Sequence, residues 1–409
     1  MFQGASHQRN TTSAGRWFWA VLTIALTAWL HAAQGNTAPP LITEALYLRE
    51  PIQTPPRLSS REQPPDDLGV KGAQLGVTDN NTTGRFLGHQ YRLIVETVAS
   101  PSQAVEVVNR WLAEGSGLTL VDLPSTTLEA VLTNTPITTK GVLINVSNPD
   151  DRWRVTDCTP RLLHTTPSRA MLADALGQFL TAKRWRDWLL VRGAREDDQA
   201  FAQALARAAK RFGADIVDER EWTFKTDLRR NARDELPLFT QASAYDVVVV
   251  ADEIGDVGEF IPYNTWLPRP VVGTQGLTPT PWSPVLEQWG ALQLQQRFER
   301  LAERPMLSGD YSSWLALRSL GEAVTRINNN DPEKLLQYLL SADFAVAAFV
   351  GRSLTFRSWN GQIRQPIALV TPTARIDQSP QPGFLHPVTE LDTLGFDRPE
   401  VSCPFNGES

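Results

Sequence analysis

The sequence predicts an α/β protein made of two doubly wound lobes. Its 409 residues, 42% of them hydrophobic, are enough for two domains that each bury a core. Apolar runs alternate with amphipathic stretches in two successive blocks, the order expected of strands and helices around a parallel sheet. Residues 247–250 form a continuous apolar run, VVVV, which is typical of a strand covered on both faces.

The first block follows a Pro-rich span at 37–67. Ala104, Val108 and Trp111 recur at helical spacing, and Gly115 ends that helix. The predicted elements of this block are a strand at 42–48, a helix at 70–80, a strand at 91–98, a helix at 102–114, a strand at 118–123, a helix at 125–133 and a strand at 141–146.

The second block opens with a helix for which Thr166 is the predicted N-cap and Pro167 the first residue. Lys183 and Arg184 at its end suit the negative pole of the helix dipole. The elements predicted after it are a strand at 188–191, a helix at 197–212, strands at 215–217, 247–250 and 271–276, and helices at 285–304 and 312–328.

Charge and the N-terminus indicate the class of protein. The formal net charge is -6 and Lys and Arg are not clustered, so no nucleic-acid partner is expected. Arg9 and Arg16 precede an uncharged run of 14 residues at 17–30, and the small residues Ala32, Ala33 and Gly35 follow. This order predicts a signal peptide at 1–35, because the run is short of the ~20 residues that span a bilayer. A buried N-terminal helix and an uncleaved anchor are the alternatives.

Cys158 and Cys403 are the only cysteines, and both lie in the part predicted to be exported. Oxidising compartments allow disulfides to persist, so a bridge between the two is expected, with two unrelated thiols as the alternative. No CxxC motif and no His/Cys spacing indicates a metal site.

Motifs of the common enzyme classes are missing. There is no GxSxG, no GxxxxGK[ST], no HExxH and no GxGxxG after a strand. The sequence therefore predicts neither an enzyme nor a cofactor or metal, and an enzyme with an unfamiliar site is the third hypothesis.

Ligands of open parallel sheets bind beyond the carboxyl ends of strands, which selects candidate residues without any motif. A structural role is the alternative for each one, because loop ends are polar in α/β proteins generally. Trp282, in a Pro-rich loop, is a candidate stacking wall or a core residue. The strand-end candidates are Asp122, Ser147, Asn148 and Asp150 in the first block, and Arg195, Asp252, Glu253 and Gln275 in the second.

Four segments in order resemble the type I periplasmic substrate-binding proteins of ABC transporters, which include the branched-chain amino-acid receptors. They are residues 70–97, 162–180, 245–253 and 331–370, the last containing AFVGRSLTFRSWNGQIRQPIALV. More narrowly, three segments resemble the subgroup associated with PQQ-dependent alcohol dehydrogenase systems. These segments are LLHTTPSRAMLADAL, GTQGLTPTPW and GFLHPVTELDTLGFDRP.

The resemblance implies two Rossmann-like lobes with three crossovers that close on a ligand. After the signal peptide, lobe one takes 36–163 and 274–342, and lobe two takes 164–273 and 343–409 with the C-terminal tail. It also implies a periplasmic location, a small-molecule ligand and an ABC permease as partner. The subgroup implies a link to a periplasmic quinoprotein dehydrogenase system.

The resemblance also bears on the ligand. Amino-acid receptors of the family have a Tyr early in a lobe-two helix, where the nearest aromatic residue here is Phe201. Ser147 and Asn148 match the Ser/Thr loop that holds the amino-acid head group, but Asp150 and Asp151 follow and would repel a ligand carboxylate. A small polar organic molecule is therefore expected instead. The alternative is a sensor or protein-interaction module without a transported ligand.

Overall fold

The computed structural model describes residues 39–51, 63–115, 117–222, 228–255 and 258–403, together with Met1 and Gly4. Almost all of the predicted signal peptide, and the centre of the Pro-rich span, lie outside the described residues. The chain divides into two units, Met1–Pro40 and Leu41–Ser409, and the fold below is that of the second. No described helix is both long enough and apolar enough to cross a membrane.

Helices and strands alternate along most of this unit. The helices are α1 (Val70–Leu87), α2 (Pro101–Ala113), α3 (Ser125–Asn134), α4 (Ile137–Lys140), α5 (Arg152–Val155), α6 (Arg169–Ala182), α7 (Glu196–Phe212), α8 (Leu228–Phe239), α9 (Ala291–Ala302), α10 (Ser308–Ile327) and α11 (Pro332–Leu339). The strands are β1 (Leu41–Arg49), β2 (His89–Thr97), β3 (Leu118–Asp122), β4 (Val142–Asn145), β5 (Leu162–His164), β6 (Asp187–Arg192), β7 (Asp215–Glu221), β8 (Val247–Ala251), β9 (Val271–Gly273), β10 (Thr278–Thr280), β11 (Val346–Ala347), β12 (Ser353–Phe356), β13 (Ile363–Arg364), β14 (Ile367–Val370) and β15 (Arg375–Ser379).

The first lobe is built on a parallel sheet in the order β2-β1-β3-β4-β5. Buried residues of α1 and α10 pack on one face, and those of α2 and α3 pack on the other. Because both faces are covered, β4 is buried along its whole length and β3 up to its last residue, Asp122. All five strands end at the same edge, so the loops after β3 and β4 meet there.

The second lobe repeats this plan with a parallel sheet in the order β7-β6-β8-β9. Helices α6 and α7 cover one face. Leu236 of α8 and Ile261 pack on the other face. β8 is buried along its whole length, as its VVVV run predicts.

The chain crosses between the two cores three times. It leaves the first sheet after β5 and enters α6, returns between β9 and Trp282, and passes again from β13 to β14. Two antiparallel sheets, β10-β14-β15 and β11-β12-β13, accompany these crossings. In β14, Leu369 joins the second core, whereas Ala368 and Val370 join the first.

The first and third crossings are bonded to each other through two glutamine side chains. Gln362 Nε2 donates to the carbonyl oxygens of His164 (3.3 Å) and Thr166 (3.1 Å), and its Oε1 accepts from Arg154 Nε (3.0 Å). Gln365 Nε2 donates to the carbonyl oxygen of Thr165 (2.9 Å). These bonds add to a single backbone bridge between His164 and Gln362, where the two crossings lie side by side.

The predicted fold class, two doubly wound lobes with three crossovers, is confirmed. The predicted helix start at Thr166 is wrong: α6 begins at Arg169, and the Ser168 hydroxyl accepts from the Met171 amide (3.2 Å). Thr166 cannot cap α6 because its carbonyl group is held in the crossing by Arg154 and Gln362. Helix α9 starts at Ala291 rather than 285, because Gly290 is left-handed at φ 83°.

Cys158 and Cys403 form the predicted disulfide, with Cα atoms 5.5 Å apart. It joins the C-terminal tail to the segment between α5 and β5. Ser402 adds to this attachment, because its amide (3.0 Å) and its hydroxyl (2.9 Å) both donate to the Val155 carbonyl.

Candidate functional site

At the carboxyl edge of the first sheet, Asp122 ends β3 and is half-buried. It accepts hydrogen bonds from the Tyr47 hydroxyl (3.2 Å) and from the hydroxyl of Ser147. Burial raises the pKa of the Asp122 carboxyl, while the Ser147 hydroxyl and the Arg49 guanidinium oppose the rise. Asp122 is thus an acceptor whose two hydroxyl partners come from β1 and from the loop after β4.

The loop after β4 carries the other first-lobe candidates. Asn148 is buried, and its Nδ2 donates to the Leu123 carbonyl (3.2 Å) and to Ser125 Oγ (3.0 Å). Ser125 Oγ in turn donates to Asp150 Oδ2 (2.9 Å). Asn148 therefore holds the loops after β3 and β4 together, which leaves Ser147 exposed and Asp150 half-buried at the edge.

In the second lobe, the two carboxylates after β8 differ in their surroundings. Asp252 is fully buried and accepts from the amides of Gly255 (2.9 Å) and Gly258 (2.7 Å), so it organises its own loop. Glu253 is partly exposed, and its amide donates to Asp198 (2.8 Å) at the start of α7.

Arg169, which the sequence analysis did not select, links the loop after β8 to the start of α7. Its Nε donates to Glu253 Oε1 (2.7 Å), and its second guanidinium nitrogen donates to Glu253 Oε2 (2.8 Å) and to Asp197 (2.8 Å). The next amide, that of Ala170, donates to Asp151 (3.1 Å) from the first lobe. The carboxyl ends of β4 and β8 thus approach the start of α6 from the two lobes.

A sequence signal for Arg169 did exist. A cation in the first turn of a helix is unfavourable next to the positive pole of the dipole, so its presence there indicates a specific carboxylate partner. The same contact affects Glu253: burial raises the pKa of its carboxyl, and Arg169 opposes the rise.

Two of the remaining candidates follow strands of the second sheet, and the other two lie in the cores. Arg195 is exposed at the N-cap of α7, and Gln275 is buried after β9. Phe201 is buried in the second core, so it presents no ring at the edge. Trp282 is buried in the first core, where it stacks on Tyr311 with ring centroids 4.8 Å apart.

The arrangement offers hydrogen-bond acceptors and donors from two lobes. Among the described residues, no three His, Cys, Asp or Glu side chains are grouped so that they could hold a metal ion. What the two edges can do is surround a polar molecule and hydrogen-bond to it from both sides.

Comparisons with known proteins agree with this geometry. A family model described as periplasmic binding protein matches residues 59–262. No curated protein matches significantly. Solved structures match over most of the chain, and those described below are binding proteins, the class of protein that the sequence predicts in place of an enzyme.

Three of these structures illustrate how similar such proteins are to this chain. A branched chain amino acid ABC transporter periplasmic ligand-binding protein from Burkholderia xenovorans LB400 is 16% identical, with 89% of this chain and 99% of that chain covered and a TM-score of 0.70. A leucine-, isoleucine-, valine-, threonine- and alanine-binding protein from Brucella ovis, in a closed conformation, is 14% identical (84% and 93% covered, TM-score 0.64). A solute binding protein of an ABC transporter from R. palustris, in complex with benzoate, is 13% identical (82% and 95% covered, TM-score 0.60).

The description of the matching family, periplasmic binding protein, names the same compartment as the sequence-based expectation. The family match over residues 59–262, together with the two lobes and their three crossings, shows that the chain has the fold of the type I periplasmic binding proteins.

Proposed function

We propose that this protein is the receptor of an ABC transport system, which captures a small polar organic molecule between its lobes and delivers it to a membrane permease. The observation that carries the proposal is the approach of the two carboxyl edges, through Asp151 to the Ala170 amide and through Arg169 to Glu253. A ligand held there contacts both lobes, so its binding favours their closure.

The ligand contacts are assigned by exposure and by existing partners. Asp122, Ser147 and Asp150 serve from the first lobe, because each is at least partly accessible at the edge. Glu253 and Arg195 serve from the second lobe for the same reason. Asn148 and Asp252 hold the loops, since their polar atoms are bonded within them.

The charges favour a ligand that donates hydrogen bonds. Asp122 and Asp150 face it from the first lobe, and the buried cation Arg169 is already bonded to Glu253 and Asp197. A ligand carboxylate would be repelled by the aspartates and would not find Arg169 free. The resemblance to the subgroup associated with PQQ-dependent alcohol oxidation makes short alcohols the first class to test, followed by amines and aldehydes.

The experiment is a titration of the purified protein with alcohols, aldehydes, amines, amino acids and carboxylates, followed by tryptophan fluorescence and calorimetry. Saturable binding of one class is expected. Asp122→Asn and Ser147→Ala should each weaken it by about tenfold, because each removes or weakens a hydrogen bond at the ligand.

The matched control is Asp215→Asn, an exposed aspartate at the amino end of β7 and so at the opposite edge of a sheet. It should leave affinity unchanged. If both cleft variants bind as the parent does, the site assignment fails. If no compound binds the folded protein while a periplasmic protein does, the chain is a protein-interaction module instead.

A further inference from the structure

A second concave site lies in the second lobe, on the opposite edge of its sheet from the proposed cleft. A groove of about 780 Å³ runs beside β9, between the Pro-rich segment 262–270, the corner formed by Phe179 and Trp185, and the turn at 371–376. Trp185 and segment 262–270 precede β6 and β9, whereas the cleft residues follow their strands. The groove is therefore separate from the site proposed above.

The groove has the size and walls of a small-molecule site. Pockets for organic ligands are typically about 300–1,000 Å³ and mostly apolar. Trp266 and Ile376 are half-exposed on its walls, at 49% and 50%, although both are large apolar side chains. Pro262, Pro268 and Pro372 fix parts of these walls, so little conformational entropy is lost when a ligand enters.

The charges around the groove indicate the polar part of its ligand. Arg269 is the one charged side chain among the described residues that line it, and no carboxylate is among them. Outside the lining, Lys183 Nζ lies 5.2 Å from the centroid of the ring of Phe179, which is a wall residue. In a chain of net charge -6, an apolar groove whose lining has a cation and no carboxylate complements an anion.

The backbone beside the groove excludes a peptide strand as the occupant. β9 is the edge strand of its sheet, but its free edge is covered by its own turn. The Leu277 amide donates to the Val271 carbonyl (3.0 Å), and the Gly273 amide donates to the Leu277 carbonyl (3.0 Å). Gly276 makes this turn possible at φ 72°, because a Cβ there would lie 2.0 Å from the Val271 oxygen. An added strand would find few free backbone groups.

We propose that this groove binds a flat apolar carboxylate, with its ring between Trp266, Trp185 and Ile376 and its carboxylate at Arg269. Aromatic walls favour ring stacking, and the guanidinium donates two parallel hydrogen bonds to a carboxylate.

The test uses 2-naphthoate and its neutral analogue 2-naphthamide, titrated into the purified protein by isothermal calorimetry. One naphthoate per protein is expected, with an affinity about tenfold above that of the amide. Arg269→Gln should lower the affinity for naphthoate by about tenfold and leave the affinity for the amide unchanged. Trp266→Ala should weaken both compounds by about fivefold. Both residues are exposed, so the variants should fold, which circular dichroism checks.

The matched controls are Arg300→Gln and Trp289→Ala in the first lobe. Arg300 is exposed, and Trp289 has the same exposed fraction as Trp266, 49%. Both controls should bind naphthoate as the parent does.

Three results would overturn the proposal. The first is no binding up to about 1 mM, the weak limit for a specific site. The second is binding that Ser147→Ala abolishes and Arg269→Gln leaves unchanged, since the compound would then occupy the cleft. The third is sedimentation with phosphatidylglycerol vesicles that depends on Trp266, without naphthoate binding, which would make this surface a membrane contact.

Discussion

Arg169 occupies the first helical position of α6, yet its side chain is only 6% exposed. A guanidinium at that depth is stable only when carboxylates surround it, and Glu253 and Asp197 do so here. Its partners lie 84 and 28 residues away in sequence, so the pairing depends on the tertiary fold.

We expect Arg169→Gln to lower the free energy of unfolding by about 1–3 kcal/mol, because it leaves the partly buried Glu253 carboxylate without its cation. Adding Glu253→Gln should restore part of this loss, since the unpaired charge is then removed. Urea unfolding of the parent, both single variants and the double variant measures the coupling. Purely additive losses would show that the ion pair is not the cause.

For some single residues, the sequence alone was enough to predict their position in the fold. The position of Asp122 and Ser147 at a sheet edge follows from the strand-end rule, because the ends of apolar runs can be read directly. Phe201 and Trp282 could not be placed in this way. An aromatic side chain in a loop or first turn packs wherever the tertiary fold offers a core, as Trp282 does against Tyr311.

Helix α1 extends seven residues beyond the predicted end at 80. Asn80 and Asn81 are poor helix formers, which is why the pattern ended there. In the structure their side chains bond outside the helix, Asn80 to the Leu317 carbonyl (2.7 Å) and Asn81 to the Tyr91 carbonyl (2.9 Å). Tertiary contacts therefore override the local preference, and such contacts cannot be read from one segment.

The same helix packs closely on α10 through glycines. A Cβ at Gly72 would lie 1.9 Å from the Asp310 carbonyl oxygen, and one at Gly76 would lie 2.6 Å from the Leu317 Cβ. The first of these contacts involves backbone, so no side-chain rotation can relieve it.

We expect Gly72→Ala to lower the free energy of unfolding by about 2–4 kcal/mol, because α1 and α10 must move apart. At an open helix position, Ala would instead stabilise the helix relative to Gly by about 1 kcal/mol. A loss of stability would therefore point to the close contact between the two helices. Thr78→Ala, at an exposed position of the same helix, is the control and should change stability little. Stabilisation by Gly72→Ala would contradict the close packing.

For the molecule as a whole, the order of strand and helix patterns was enough to predict the two lobes, because each parallel sheet requires alternation of both. The boundaries of the lobes remain predictions, since the crossings are short and carry no pattern of their own. What the sequence could not supply is the set of bonds between distant segments, such as those of Gln362 with His164 and Thr166.

The disulfide acts at this same scale, because its cysteines are 245 residues apart. Loop-closure entropy predicts that replacing both cysteines by alanine lowers the free energy of unfolding by about 5–6 kcal/mol. Guanidinium unfolding of the oxidised parent, the reduced parent and the double variant measures this. The reduced parent and the variant should unfold at the same midpoint, below that of the oxidised parent. Equal midpoints for all three would show that the bridge does not stabilise the protein by lowering the conformational entropy of the unfolded chain.

The glutamine bonds between the first and third crossings also restrict how the lobes can move. Segments bonded side by side turn together, so the two crossings supply one rotation axis rather than two independent sets of torsions. When the lobes rotate about this axis, the second crossing must move with them. In the closure on a ligand that we propose, fewer torsional degrees of freedom are then frozen, and the loss of conformational entropy is correspondingly smaller.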